Sequence, residues 1–220
     1  MREPKRDRAA LSRALRRYRE APLTDRVFVR GRAFLSDLTF IEPFVPRRGF
    51  VVDLGCGHGL FANVLREASE DRRVLGVDID ERKIAVAKLT EREGLRFEVG
   101  EIVSTPPPPC DAITIIDVLY LLPEDAQEQL IAHCGRVLPE GRTLLVYAQE
   151  ARADPRYFLG YAQELISTSL GLTRGGGELS YRSRDAMLAL LARHGFVTDV
   201  VPIPRRPYTD VLYVARRVPK

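Results

Sequence analysis

The chain has 220 residues, of which 45% are hydrophobic and 29% are charged, and its formal net charge is +4 at pH 7. This length is enough for one sizeable hydrophobic core, so we expect one main domain with additions at its ends. No apolar run reaches the roughly 18 residues that a membrane-spanning helix needs, and the charged N-terminus leaves no room for the apolar part of a signal peptide. The composition therefore favours a cytoplasmic protein.

Cysteine and histidine are rare and scattered. The three cysteines, Cys56, Cys110 and Cys134, form no CxxC pair, and their odd number argues against a disulfide framework. Free cysteines behave as small packing residues. The three histidines lack the spaced acids or thiols of a metal centre, so the sequence predicts no metal site.

Residues 1–48 are predicted to form an N-terminal helical cap. Its first part, residues 1–20, is a basic helix candidate whose apolar face consists of Leu11, Ala14, Leu15 and Tyr18. Such a helix could bind an acidic partner or a membrane surface. Alternatively, its apolar stripe packs on the domain while its arginines stay in solvent. A second helix is predicted to follow Thr24-Asp25 and to end before Pro46.

Residues 51–59 are the most informative segment, and they read Val-Val-Asp-Leu-Gly-Cys-Gly-His-Gly. An apolar strand, an acid and three alternating glycines lead into an amphipathic helix over residues 60–65. This arrangement is typical of the first unit of a Rossmann-like sheet. A dinucleotide fingerprint reads G-x-G-x-x-G, but Leu60 occupies the position of its third glycine. The loop therefore departs from the dinucleotide pattern.

Charge indicates which cofactor this loop would hold. The carboxylate of Asp53 would repel a pyrophosphate, whereas it could receive, directly or through water, the ammonium of an amino-acid moiety. S-adenosylmethionine (SAM) carries such an ammonium and no phosphate. Residues 74–80 predict a second strand, at whose end Asp78 is placed to accept hydrogen bonds from both ribose hydroxyls. Asp78 alone would suit NAD equally well.

Strands and helices alternate through the middle of the chain, as in a parallel sheet covered on both faces. Further strands are predicted over residues 97–99, 112–116 and 143–147. Ligands bind outside the carboxyl ends of parallel strands. The acids near these ends are therefore expected to converge on one crevice: Asp53, Asp78, Glu101 and Asp117.

The regular alternation of strands and helices is interrupted at about residues 150–182, where we expect a lid-like insertion. Its glycine-rich run, Arg174 to Glu178, is either the hinge or tip of a substrate lid or part of a connecting loop without catalytic meaning. A helix capped by Ser183 and closed by His194-Gly195 follows. Two further strands are predicted over residues 196–202 and 208–215.

From Phe50 to Val146 the sequence resembles the class I SAM-dependent methyltransferases. The landmarks occur in the family's order: Asp53 to Gly59, Asp78, Gly100-Glu101-Ile102, Asp117-Val118-Leu119-Tyr120 and Leu138-Pro139-Glu140-Gly141. The resemblance implies an α/β fold, a Rossmann-like doubly wound sheet of seven strands with an antiparallel last strand and helices on both faces. The methyltransferase domain would then occupy residues 49–220.

The resemblance also implies SAM as the cofactor and suggests its contacts. In the family the glycine loop holds the methionine part, the second-strand acid holds the ribose, and the residues after the third strand line the adenine. The N-terminal region covers the cofactor in the family, so Phe28 and Arg30 are either contributors or core and surface residues. The implied cofactor-binding residues are Asp53, Gly55, Cys56, Gly57, Gly59, Asp78, Ile79, Glu101, Ile102 and Asp117.

Methyl transfer from a sulfonium needs a general base only when the acceptor arrives protonated. Strand position suggests three candidates at the rim of the crevice, namely Asp117, Tyr120 and Glu150. Asp117 could instead be a cap, and Tyr120 could be a packing aromatic. The sequence does not decide between these roles.

The expected acceptor is a small molecule or a carrier-protein-bound chain, methylated on oxygen or carbon. Residues 117–120 lack the prolines of the nucleic-acid amino methyltransferases, which argues against methylation of a nucleic-acid base. The wider sequence resembles bacterial methyltransferases of polyketide or aryl polyene assembly, where an acidic carrier protein would suit the basic helix. The alternatives are a nucleic-acid-modifying methyltransferase, an NAD-dependent oxidoreductase and a non-catalytic SAM-binding adaptor. Nothing in the sequence indicates an oligomeric state.

Overall fold

The computed structural model describes residues 6–149, 179–203 and 210–219. Among the described residues, three α-helices precede the sheet: α1 (Arg8–Arg16), α2 (Leu23–Leu35) and α3 (Leu38–Ile41). The strands are β1 (Gly49–Leu54), β2 (Arg72–Asp78), β3 (Leu95–Val99), β4 (Ala112–Ile116), β5 (Thr143–Gln149), β6 (Phe196–Pro202) and β7 (Asp210–Arg217). The remaining described α-helices are α4 (Leu60–Ala68), α5 (Glu81–Lys88), α6 (Glu124–Val137) and α7 (Arg184–Arg193).

These strands form one sheet of seven in the order β3-β2-β1-β4-β5-β7-β6. The first five strands along the chain pair in parallel, whereas β7 pairs antiparallel with both β5 and β6. The carboxyl ends of β1, β2 and β4 therefore open at one edge of the sheet, where ligands of open α/β sheets bind. The predicted fold class, including the antiparallel last strand, is confirmed.

Apolar side chains cover both faces of the sheet because successive strand residues point to opposite sides. On β1, Val51 belongs to the core beneath α1 to α5, and its neighbour Val52 belongs to the core beneath α6 and α7. All five residues of β4 are buried. A strand buried on both faces reads as a continuous apolar run, which is the pattern of a central parallel strand.

The N-terminal helices pack on the sheet domain through their apolar face. Ala10, Ala14 and Tyr18 are buried against the core. The carboxylate of Glu67 on α4 lies within 3.1 Å of three guanidinium groups, which belong to Arg13, Arg17 and Arg92. This arrangement supports the interpretation that the basic helix packs on the domain, and it neutralises part of the helix's charge.

A buried ion pair joins the end of this cap to the sheet. The guanidinium of Arg72, at the start of β2, is fully buried and donates a 2.7 Å hydrogen bond to Glu42 Oε1. It also donates to the carbonyls of Val45, Pro46 and Leu65 at 2.7, 2.7 and 2.9 Å. These partners of the Arg72 guanidinium lie on the segment before β1 and on α4, so the ion pair holds these segments together.

The C-terminal hairpin agrees with the sequence in kind and differs in its bounds. β6 covers the predicted residues, and β7, described from Asp210, ends at Arg217, two residues beyond the predicted end at residue 215. Its extent is set by pairing, because Gln149 pairs with Asp210 and Thr143 pairs with Arg216. Most of the predicted lid-like insertion, the glycine-rich run and the loop between β6 and β7 lie outside the described residues. The division of the chain at residue 48 stays a prediction.

Candidate functional site

The glycine loop turns sharply from β1 into α4 at the open edge of the sheet. Its Gly55 and Cys56 amides donate to the carbonyl of Val77 on β2 at 2.8 and 3.0 Å. Gly55 has a φ of +74°, and a Cβ there would lie 2.3 Å from Val118 Cγ2. A side chain is therefore excluded both by backbone strain and by Val118. The loop packs directly against the segment that follows β4.

Gly57 faces open space. A Cβ on this residue would meet nothing nearer than Lys83 Cδ at 4.0 Å, although its φ of +55° still favours glycine. The next glycine, Gly59, is the N-cap of α4 and supplies no side chain to bond the first amides of the helix. The positive end of the α4 dipole and these amides can therefore receive an anionic group.

Asp53 lies just below the loop, near the end of β1, and only 2% of its surface is exposed. Its Oδ1 accepts a 2.6 Å hydrogen bond from the hydroxyl of Thr114 on β4. Burial raises the pKa of this carboxyl to about 7, and the nearby charge of Asp78 adds to the rise. The Thr114 hydrogen bond and the charge of Arg32 act in the opposite direction. A cation bound next to Asp53 would favour its charged form.

Asp78 ends β2, and its carboxylate accepts hydrogen bonds from two backbone amides, one in the glycine loop and one in the segment after β2. Its Oδ2 accepts a 2.7 Å hydrogen bond from the Gly57 amide, and its Oδ1 accepts from the Asp80 amide at 2.9 Å. The adjacent Ile79 leaves 53% of its surface exposed. An acid followed by an exposed apolar side chain suits a ribose and the flat ring attached to it.

Glu101 and Ile102 follow β3, but their side chains have different surroundings. The Glu101 carboxylate accepts hydrogen bonds from the amides of Val103 and Ser104 in its own loop. Partial burial opposes its ionisation, but these hydrogen bonds outweigh burial and lower the pKa of Glu101. Ile102 is buried in the core beneath α6. That Glu101 and Ile102 line the adenine stays a prediction.

Asp117 follows β4 with a φ of +57°, an uncommon backbone conformation for a residue other than glycine. Its Oδ2 accepts a 2.6 Å hydrogen bond from Arg32 Nη2 and a 3.4 Å hydrogen bond from the Ser36 hydroxyl. Burial raises the pKa of Asp117, and its contact with Arg32 limits the rise. This ion pair draws the end of α2 onto the carboxyl end of β4. Sequence reasoning missed both Arg32 and Ser36.

The other two candidate bases differ in what the structure shows of them. Tyr120 is buried, and its ring stacks on that of Tyr181 with centroids 4.9 Å apart. Its carbonyl accepts a 2.9 Å hydrogen bond from the Ser180 amide, so this tyrosine also anchors the chain that leads into α7. Glu150 lies outside the described residues.

The three cysteines are free thiols, and burial raises the pKa of each. Cys56 lies in the glycine loop and is partly buried, while Cys110 and Cys134 are buried in the core. In the part of the chain that the structure describes, no three His, Cys, Asp or Glu side chains are grouped as metal ligands would be. Nor does any helix in that part have the length and apolar character required to cross a membrane.

Comparisons with known proteins agree with this geometry. Residues 51–141 match the methyltransferase domain family model. The chain is 32% identical over 110 residues to trans-aconitate 2-methyltransferase of Methylobacterium nodulans, a match that covers 50% of this chain and 42% of that protein. It is 23% identical over 185 residues to a protein of Aspergillus luteorubrus named "Probable methyltransferase ltbC", covering 74% of this chain and 62% of the relative. The chain thus spans less than two thirds of the length of either relative.

Solved structures of methyltransferases share the fold. The structure of human N-acetylserotonin methyltransferase in complex with SAM superposes with a TM-score of 0.62 at 20% sequence identity. The match covers 95% of this chain and 57% of the human chain. At this level of identity the likeness concerns the fold, and the glycine loop and the strand-end acids lie in the part that the family model matches.

Proposed function

We propose that this chain, which belongs to the class I SAM-dependent methyltransferases by its domain and its fold, transfers the methyl group of SAM to an oxygen atom of a small-molecule acceptor. The observation that carries the proposal is the charge arrangement at the glycine loop. The buried acid Asp53 and the uncapped N-terminus of α4 lie on either side of the loop. A zwitterionic amino-acid group needs these two partners, whereas a pyrophosphate would be repelled by the acid.

The neighbouring residues fit the rest of the cofactor. The Asp78 carboxylate can accept hydrogen bonds from ribose hydroxyls while it holds the Gly57 amide, because each carboxylate oxygen has more than one acceptor site. The exposed side chain of Ile79 would be covered by the adenine ring. These contacts would hold SAM across the ends of β1 and β2.

Bound SAM supplies an electrophilic methyl group on a sulfonium whose leaving thioether needs no protonation. The protein's contribution is then to bind and orient the two reactants in line. Such positioning can lower a reaction barrier by roughly 7–11 kcal/mol. The ion pair between Arg32 and Asp117 supports this role, since it fixes α2 near the end of β4.

Asp117 is proposed to act as an anchor more than as a general base. Its carboxylate already accepts hydrogen bonds from Arg32 and Ser36. We expect Asp117→Asn to retain kcat within about tenfold, whereas loss of a general base costs roughly 100- to 10,000-fold. Asparagine tolerates a positive φ, so the backbone is preserved. The kcat of the purified variant, followed against pH, checks this, and a hundredfold fall would reassign Asp117 as the base.

A small-molecule acceptor is supported by the names of similar proteins. The relatives and neighbours include methyltransferases named for trans-aconitate and N-acetylserotonin. The structure weakens one argument for an acidic carrier protein or nucleic acid, because Arg13 and Arg17 form ion pairs with Glu67 of the same chain. A carrier-bound acceptor remains the second candidate, favoured by the exposed Arg8, Arg16 and Arg30 on the cap.

The function is tested first by cofactor binding. Isothermal titration of the purified protein with SAM, S-adenosylhomocysteine and NADH should show binding of the first two compounds and none of NADH. Incubation with SAM carrying a labelled methyl group and a panel of hydroxylated and carboxylated small molecules should then transfer label to an acceptor. NADH binding without SAM binding would overturn the proposal in favour of an oxidoreductase.

Asp53→Asn should stabilise the fold and weaken SAM binding at the same time. The pKa of this carboxyl rises from 3.8 to about 7 on folding, so ionising it opposes folding. This cost is absent below about pH 4, grows as the pH rises, and is complete above about pH 7. Urea unfolding should therefore show a larger gain for Asp53→Asn at about pH 8 than at about pH 4. Equal gains at both values would contradict the role of ionisation.

A further inference from the structure

The glycine loop cannot hold one conformation through its own sequence. Gly57 and Gly59 have positive φ values of +55° and +76°, and glycine populates many other backbone conformations. His58 is the only residue with a side chain between them. Asp78 holds the Gly57 amide, and contacts made by His58 are a second means by which the rest of the protein can fix this part of the loop.

The side chain of His58 is held by α2. Its Nε2 lies 3.2 Å from Asp25 Oδ1, and its ring packs against Phe28 with centroids 4.9 Å apart. Burial lowers the pKa of His58, which favours the neutral imidazole, although the Asp25 hydrogen bond acts in the opposite direction. Since an ionised carboxylate only accepts, the imidazole donates through Nε2. The helix and the loop are thus joined by one directed hydrogen bond and one ring contact.

The backbone of His58 is held by the N-terminal segment. The Tyr18 hydroxyl donates a 2.7 Å hydrogen bond to the His58 carbonyl and accepts one from Asn63 Nδ2 at 3.1 Å. Asn63 Nδ2 also lies 3.0 Å from the Gly59 carbonyl. Tyr18 is almost fully buried, so water does not compete for these hydrogen bonds. The carbonyls of His58 and Gly59 therefore both accept hydrogen bonds from buried side chains.

We propose that Tyr18 and Asp25 are positioning residues of the cofactor site, although both precede the matched methyltransferase domain at residues 51–141. Acting through His58, they hold the glycine loop in the conformation in which it receives the amino-acid part of SAM. A loop held in this way loses less conformational entropy when the cofactor binds, so these residues strengthen cofactor binding and leave the chemical step unchanged. The inference rests on the proposed function.

Asp25 offers a matched pair of variants. Its side chain is partly exposed and makes a hydrogen bond to His58, so Asp25→Ala removes that contact without opening the core. Asp25→Asn keeps an oxygen that can accept the same hydrogen bond. We expect Asp25→Ala to raise the Kd and the KM for SAM about tenfold and to change kcat at saturating SAM less than about threefold. We expect Asp25→Asn to stay near the wild-type values.

A third variant tests the backbone contact, and a fourth controls for general loss of stability. Tyr18→Phe removes only the hydroxyl that bonds the His58 carbonyl and should raise the KM for SAM in the same way. Ile131→Val shortens a buried side chain in the core on the opposite face of the sheet, so it should lower the melting temperature and leave the KM unchanged. Isothermal titration of the folded protein gives the Kd for SAM, and steady-state kinetics give the KM and kcat. Thermal unfolding gives the melting temperature.

The outcomes separate this inference from the proposed function. If the wild-type protein does not bind SAM, the proposed function fails and the inference fails with it. If the wild type binds SAM and both Asp25→Ala and Tyr18→Phe bind it equally well, the positioning role alone is overturned. A fall in kcat at unchanged KM would also overturn it, because it would place these residues in the chemical step.

Discussion

Replacement of Asp78 by alanine is expected to weaken SAM binding about a hundredfold. The variant would lose one or two hydrogen bonds from the ribose, each worth about 1.5–3 kcal/mol because the acceptor is charged. It would also release the Gly57 amide, which now donates to Asp78 Oδ2 at 2.7 Å. The ribose and the glycine loop thus depend on the same carboxylate. The loss of SAM affinity should therefore exceed the loss caused by removing a residue that contacts only the ribose.

Titration calorimetry of folded Asp78→Ala with SAM measures this effect. Asp78→Asn serves as the control, because its carboxamide oxygen can still accept from the Gly57 amide while the negative charge is lost. The asparagine variant should bind SAM more tightly than the alanine variant and more weakly than the wild type. Unchanged affinity in Asp78→Ala would refute the assignment of this carboxylate to the ribose.

Replacement of Arg72 by methionine should lower the free energy of unfolding by about 3–5 kcal/mol. The change removes the 2.7 Å partner of the buried Glu42 carboxylate and leaves it only the longer ion pair with Arg47, whose Nη2 lies 3.8 Å from Glu42 Oε2. It also removes the donor that now satisfies the carbonyls of Val45, Pro46 and Leu65. Urea unfolding followed by circular dichroism measures the loss.

A double variant separates the unpaired charge from the lost packing. Arg72→Met combined with Glu42→Leu removes both charges, so it should be more stable than Arg72→Met alone. If the two substitutions instead added their separate costs, the buried pair would not be coupled. SAM affinity should change little in the single variant at temperatures where it remains folded, because Arg72 lies at the start of β2 and the cofactor contacts lie at its end.

The sheet and the glycine loop could be predicted because their signals are local. A strand, an acid, alternating glycines and a helix occupy adjacent positions, and the buried strand β4 reads as a nearly continuous apolar run. The N-cap of α7 could also be predicted from the sequence, and in the structure the Ser183 side chain accepts a hydrogen bond from the Ala186 amide. In each case the residues that cause the structure are neighbours in the sequence.

The contacts that hold the cap over the site could not be predicted in the same way. Arg32 and Asp117 are 85 residues apart, and Asp25 and His58 are 33 residues apart. The prediction that Thr24-Asp25 caps α2 was wrong, because the helix begins at Leu23 and Asp25 bonds His58. An acid near a helix start can cap the helix or reach outward, and only the position of the glycine loop decides between the two.

The placement of β7 between β5 and β6 has a consequence for how the protein is made. β6 pairs with β7 and with no other described strand, yet it is synthesised first. On the ribosome, β1 to β5 can pair in order of emergence, whereas β6 has no strand to pair with until β7 follows it. A stop codon at position 210 would therefore release a chain with an open edge at β5 and an unpaired β6, and such exposed strand edges are templates for aggregation.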